Sequence, residues 1–158
     1  GSHIGTAPAH TTGRSQSIDF RAAVACQGHL GVELDLARLD EGEAARLAGW
    51  IAFYKQWRHL LHQQVWSGTL PDGLAWHAAG NSDEWLLTLY RAQPTRQRFM
   101  PTAPLPFVDR AGAYALRRTG PGRDEALAMF DGSWLAEVGL PVPPTRAEQA
   151  VIFHGKRQ

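Results

Sequence analysis

The clearest periodic signal lies in residues 40–63, DEGEAARLAGWIAFYKQWRHLLHQ, where Leu47, Trp50, Ile51, Tyr54, Trp57 and Leu61 recur at three- and four-residue steps. That spacing puts all six on one stripe of an α-helix and leaves Arg46, Lys55 and Arg58 mostly elsewhere. Asp40 is placed to accept from the free backbone N–H groups of the first turn, with Glu43 three residues on, the spacing of a capping box. Upstream, His3-Ile4-Gly5-Thr6 has extended character, and Pro8 and Gly13 mark an irregular loop after it. Ser17 or Asp19 then caps a short helix through Phe20, Ala23 and Val24, which Gly28 ends. Between the two helices Leu30, Val32, Leu34 and Leu36 alternate with Gly31, Glu33 and Asp35, which predicts a short extended connector.

After Gln63 the period changes from helical to two. Residues 64–70, 74–79, 84–91, 113–118, 134–140 and 149–154 are short runs rich in Val, Leu, Trp and Tyr, divided by turn-forming stretches at 71–73, 80–83, 109–112 and 120–122. Short strands at such spacing predict an antiparallel β-sandwich, and prolines clustered from Pro94 to Pro144 cut loops and protect strand edges. The predicted class is α+β: a helical segment over 1–63 with one short strand and two helices, then a sandwich over 64–158.

Composition narrows the function classes. An apolar share of 44% with six tryptophans is enough to fill a core, and 16 basic against 15 acidic residues give a net charge of +1. Charges so interspersed offer no basic face for a phosphate backbone, so no nucleic-acid partner is expected. No apolar run approaches the ~18 residues of a membrane span, so no membrane partner is expected either. Cys26 stands alone, which excludes an internal disulfide and a cysteine-rich zinc site. A lone thiol fits a reducing compartment, and a cytoplasmic location is the expectation.

Residues 1–14 (GSHIGTAPAHTTGR), 21–24 (RAAV), 28–36 (GHLGVELDL) and 51–55 (IAFYK) with Arg58 and Leu61 resemble, in order and spacing, the carboxyl-terminal third of a glycoside hydrolase family 36 α-galactosidase, or melibiase. Gly139-Leu140 and Val151-Ile152-Phe153-His154 carry the likeness into the second half. In that family a (β/α)8 barrel keeps the active site at the carboxyl ends of its strands, and an antiparallel sandwich follows. The resemblance implies that residues 1–6 are the last barrel strand, 40–63 the last barrel helix and 64–158 the sandwich. It also implies that the aromatic stripe packs against barrel elements outside this chain, and lies as a bare, self-associating band when the chain stands alone.

The resemblance further implies retaining hydrolysis of terminal α-galactosides by two Asp carboxyls about 5–5.5 Å apart. Both come from earlier strands of the barrel. None of Asp19, Asp35, Asp40, Asp72, Asp83, Asp109, Asp124 or Asp131 lies in a segment matching either family motif, so no catalytic residue is assigned and the chain alone is expected to be inactive. No cofactor is implied. The implied partners are an α-galactoside bound through the barrel and, in the parent, further copies of itself as a homo-oligomer. The alternative class is a non-catalytic carbohydrate-binding or structural sandwich with a helical leader.

His3, near a barrel-strand end, is the one substrate-binding candidate, with a structural hydrogen bond as its rival role. Arg14, in the loop beyond, is expected to bond backbone carbonyls or a neighbouring loop. Glu33 and Asp35 share a face of an extended segment, the arrangement of an acid/base pair, and are read here as a solvated edge. His59 and His62 have the spacing of zinc ligands on a helix but lack a third ligand, so no metal is assigned. Trp66, Trp76, Trp85 and Trp134 offer aromatic faces of the kind sugars stack on, although tryptophans in strands usually fill a core.

Overall fold

β1 (Ser2–Gly5) and β2 (Leu30–Glu33) pair in parallel, with Ser2 opposite Leu30 and Gly5 opposite Glu33. Parallel strands need a crossover, and α1 (Ile18–Ala25) supplies it, its first turn held by the Ser17 hydroxyl accepting from the Phe20 N–H at 3.2 Å. A 3-10 turn at Leu36–Arg38 leads to α2 (Glu41–Leu61), where Asp40 Oδ1 accepts from the Glu43 N–H at 2.7 Å. The computed structural model from which these elements are read describes residues 2–8, 13, 15–96 and 101–158.

The order β1–α1–β2–α2 corrects the expectation of a single strand before the helices. The connector is itself a strand, because residues 30–33 find in β1 an edge with which to pair. The strand that leads into α2 is therefore β2, and β1 is the strand before it.

β3 (Gln64–Thr69), β4 (Ala75–Gly80), β5 (Glu84–Arg91), β7 (Ala113–Gly120), β8 (Arg123–Asp131) and β10 (Gln149–Arg157) form a six-stranded antiparallel sheet in the order β3-β4-β5-β10-β7-β8. β6 (Thr102–Ala103) and β9 (Leu140–Pro141) pair as a small second sheet, and α3 (Gly132–Glu137) lies between β8 and β9 in the chain. Five of the six expected runs fall on β3, β4, β5, β7 and β10. The run at 134–140 does not: it is mostly α3. The local backbone explains the turn, since a Cβ on Gly132 would lie 1.9 Å from the Asp109 carbonyl oxygen, and the Val138 and Gly139 N–H groups both reach the Trp134 carbonyl at 2.9 Å. β8 had no expected counterpart. It is exposed along most of its length, so its sequence carries no alternation to read.

Both faces of the large sheet are covered, which makes it the middle layer of three. Trp85, Leu87 and Leu89 of β5, Tyr114 and Leu116 of β7 and Val151 and Phe153 of β10 share one core with Ala103, Leu105, Leu135 and Leu140. Leu86, Ala79 and Ile152 point the other way and share a second core with Ile4, Ala22, Leu47, Trp50, Phe53 and Leu60. Alternate residues of β5 thus serve different cores, which is why its sequence is a continuous apolar run.

This second core overturns the expectation of a bare stripe on α2. Leu47, Trp50 and Leu61 are buried, Phe53 and Leu60 join them, and Ile51, Tyr54 and Trp57 are half-buried. None of the helix's large apolar side chains is among the exposed ones. The sheet supplies the cover, so the stripe packs largely within this chain.

Candidate functional site

The carboxyl ends of β1 and β2 are where the sequence-derived candidate lies. Ile4 is fully buried beneath α1. Its neighbours His3 and Gly5 therefore stand on the opposite face of the strand, alongside Gly31 and Glu33 of β2. His3 Nδ1 is 2.7 Å from Glu33 Oε1, with the two side chains 46% and 66% exposed. The ring reaches Glu33 by crossing Gly31, its register partner, where a Cβ would come within 2.5 Å of His3 Cδ2. Arg21 fixes the end of β1: its guanidinium donates to the Gly5 carbonyl through Nη1 and to the Gln16 carbonyl through Nε at 3.1 Å. Arg14 lies outside the described residues.

The other candidates separate. Glu33 lies against His3 Nδ1 at 2.7 Å, whereas Asp35 accepts from the Ala37 N–H at 3.1 Å and lies 3.4 Å from Arg38, so the two carboxylates do not act as a pair. His59 donates from Nδ1 to the Gln56 carbonyl at 3.0 Å. His62 instead shares a 2.7 Å hydrogen bond with the Tyr54 hydroxyl and packs its ring 4.3 Å from that of His29. Desolvation, then the nearby His29 and Arg58 charges, hold His62 below the ordinary imidazole pKa. Among the described residues no three His, Cys, Asp or Glu side chains converge as a metal site. Trp85 and Trp76 are enclosed in the core and Trp66 stacks on Phe107 with centroids 4.3 Å apart, which leaves Trp134, 49% exposed, as the open face among the four.

Two further clusters had no signal in the sequence. Arg91, 3% exposed, donates to the Asp72 carboxylate, to the Asp72 carbonyl at 3.0 Å and to the Thr145 carbonyl at 3.0 Å. Burial pushes the Asp72 carboxyl up, but the Arg91 bond and the Leu74 N–H outweigh it and leave the pKa below the ordinary value. Also, a cavity of about 620 Å³ opens between α2 and the β7–β8 turn, lined by Asp19, Arg46, Trp50, Arg118, Arg123 and Ile152. Asp19 is engaged there by the Trp50 indole N–H at 2.8 Å. The first cluster is a clamp between distant loops; the second presents no pair of convergent carboxylates.

Residues 1–64 match the Melibiase family model. The α-galactosidase of Escherichia coli is 28% identical over an alignment covering 97% of this chain and 25% of that protein. Probable α-galactosidase G of Emericella nidulans is 30% identical over 89% of this chain and 19% of its own length. The crystal structure of the GH36 α-galactosidase AgaA from Geobacillus stearothermophilus superposes with a TM-score of 0.83 at 23% identity, covering 100% of this chain and 22% of that one. The chain matches the carboxyl-terminal portion of a glycoside hydrolase family 36 α-galactosidase. It spans about a quarter of the length of the Escherichia coli relative and less of the fungal one.

Proposed function

We propose that this chain is the carboxyl-terminal part of a retaining α-galactosidase, contributing two β–α units of the barrel wall and the sandwich that buttresses them. The observation that carries the reading is the melibiase match over residues 1–64, which spans both parallel strands and both helices. The nucleophile and the general acid/base are two Asp carboxyls supplied by residues outside these 158. Within the chain His3 is the residue offered to substrate, from the strand ends at which β/α barrels keep their chemistry. The substrate is a terminal α-galactoside, the parent a cytoplasmic homo-oligomer, and no cofactor takes part. A carbohydrate-binding sandwich is the weaker reading, because Trp76 and Trp85 are enclosed and offer no face to a sugar. The test is the full-length product of the encoding gene acting on an aryl α-galactoside, with the first-formed sugar followed by proton NMR. Release of α-galactose first supports the proposal; release of the β anomer, or no hydrolysis, refutes it.

A further inference from the structure

We infer that Glu33 is a positioning residue for substrate recognition: its carboxylate holds His3 in the Nδ1–H tautomer and so presents the Nε2 lone pair to a sugar hydroxyl. This rests on the α-galactosidase reading above and adds a residue to it. Glu33 is the last residue of β2 and lies opposite Gly5, the last of β1, so the pair marks the carboxyl ends of two parallel strands. Ile4 is buried against the helices, which puts His3 and Glu33 on the face turned away from them. In a closed barrel that face is the interior. The packed layers of such an interior are made of Val, Ile and Leu, so two polar side chains there belong to the layer that meets substrate.

The tautomer follows from the contact. A neutral imidazole has one N–H donor and one lone-pair acceptor, and a carboxylate can only accept. In the neutral ring, the 2.7 Å approach of Glu33 Oε1 to Nδ1 favours the proton on Nδ1 and leaves Nε2 as an acceptor. No described residue bonds Nε2. Gly31 keeps the ring in its seat, because a Cβ there would come within 2.5 Å of Cδ2 and 3.0 Å of Nε2. The matching ligand group is an O–H donor, and a galactoside is rich in them.

The test has two readouts. Two-dimensional 15N–1H NMR of the histidine rings in the 158-residue chain should show His3 as the Nδ1–H tautomer, and Glu33→Gln should release it toward the Nε2–H form without changing the circular dichroism spectrum. In the full-length polypeptide the same substitution should raise KM for an aryl α-galactoside about tenfold, the equivalent of one hydrogen bond of about 1.4 kcal/mol, with a smaller effect on kcat. Glu33→Asp should recover part of that loss. His3 found as the Nε2–H tautomer, or a tautomer indifferent to Glu33→Gln, overturns the positioning role. A tautomer change with KM unmoved overturns the substrate role. A full-length wild-type polypeptide with no α-galactosidase activity takes down the proposed function and with it the substrate role, while the ring NMR still decides what Glu33 does to His3.

Discussion

Replacing Arg91 by methionine should cost the protein about 3–5 kcal/mol, the usual price of removing one partner from a buried ion pair. The side chains of Arg91 and Asp72 are 4% and 2% exposed, so neither charge has water to fall back on. Methionine keeps the length of the aliphatic stem but strands the Asp72 carboxylate with the Leu74 N–H at 3.0 Å, and leaves the Asp72 and Thr145 carbonyls without the guanidinium. Against a total stability of about 5–15 kcal/mol this is a large fraction. With a urea slope of about 2 kcal/mol per molar, the unfolding midpoint should fall by about 1.5–2.5 M with the slope unchanged. The pH dependence has a definite sign. In the wild type the Asp72 pKa lies below its ordinary 3.8, so its contribution is complete above that value and is lost as pH falls through the folded-state pKa. In Arg91→Met the backbone N–H bonds remain but the guanidinium's bond and charge are gone, so burial weighs more and the pKa rises relative to the wild type, and the penalty fades as acid protonates the carboxyl. The gap between the two proteins should therefore narrow from pH 7 toward pH 3.8 and below, and Asp72→Asn added to Arg91→Met should recover part of the loss. A midpoint shift under about 0.5 M at pH 7 would refute the reasoning.

Burial pushes the Cys26 thiol up to about 12 and leaves it 2% exposed. It should resist labelling by a disulfide reagent at pH 8 until the chain is unfolded, and prompt labelling of the native protein would contradict this. Gly155→Ala should lower stability by about 1–3 kcal/mol, read as a drop in Tm, because its Cβ would lie 2.2 Å from Cζ2 of the fully buried Trp85; an unchanged Tm counts against that packing. Asp40→Ala should cost about 1 kcal/mol through loss of the α2 cap, and a urea midpoint equal to wild type would show that the cap contributes nothing.

The elements legible in the sequence are those whose signal is local. α2 could be read from its period and from Asp40, and β3, β4, β5, β7 and β10 from short apolar runs between turns. β8 lacked a signal because RDEALAMFD, as an edge strand exposed along most of its length, buries neither face fully enough to impose alternation. Trp134–Leu140 was misread because one and a half helical turns are too short to show a 3.6-residue period, so apolar content alone suggested a strand. The partner of the aromatic stripe was hidden for a different reason. Ala79, Leu86 and Ile152 lie far from α2 in sequence, and no local pattern says which face of a sheet a helix will cover. The candidate site divides in the same way. His3 was marked by its place on a strand; Glu33 beside Asp35 reads as a solvated edge and is exposed, but only the pairing of β1 with β2 brings it to 2.7 Å from His3. The Arg91 clamp joins residues 72, 91 and 145, and nothing short of the tertiary structure brings those together.

The proposed function puts the catalytic carboxylates outside these 158 residues. Its most direct test is the rate at which the purified chain, folded by circular dichroism, releases aryl alcohol from an aryl α-galactoside. The expected rate is that of a mock purification carried through the same steps. Turnover above that control, surviving repeated chromatography with the protein peak, would contradict the account and place the reacting carboxylates within this chain.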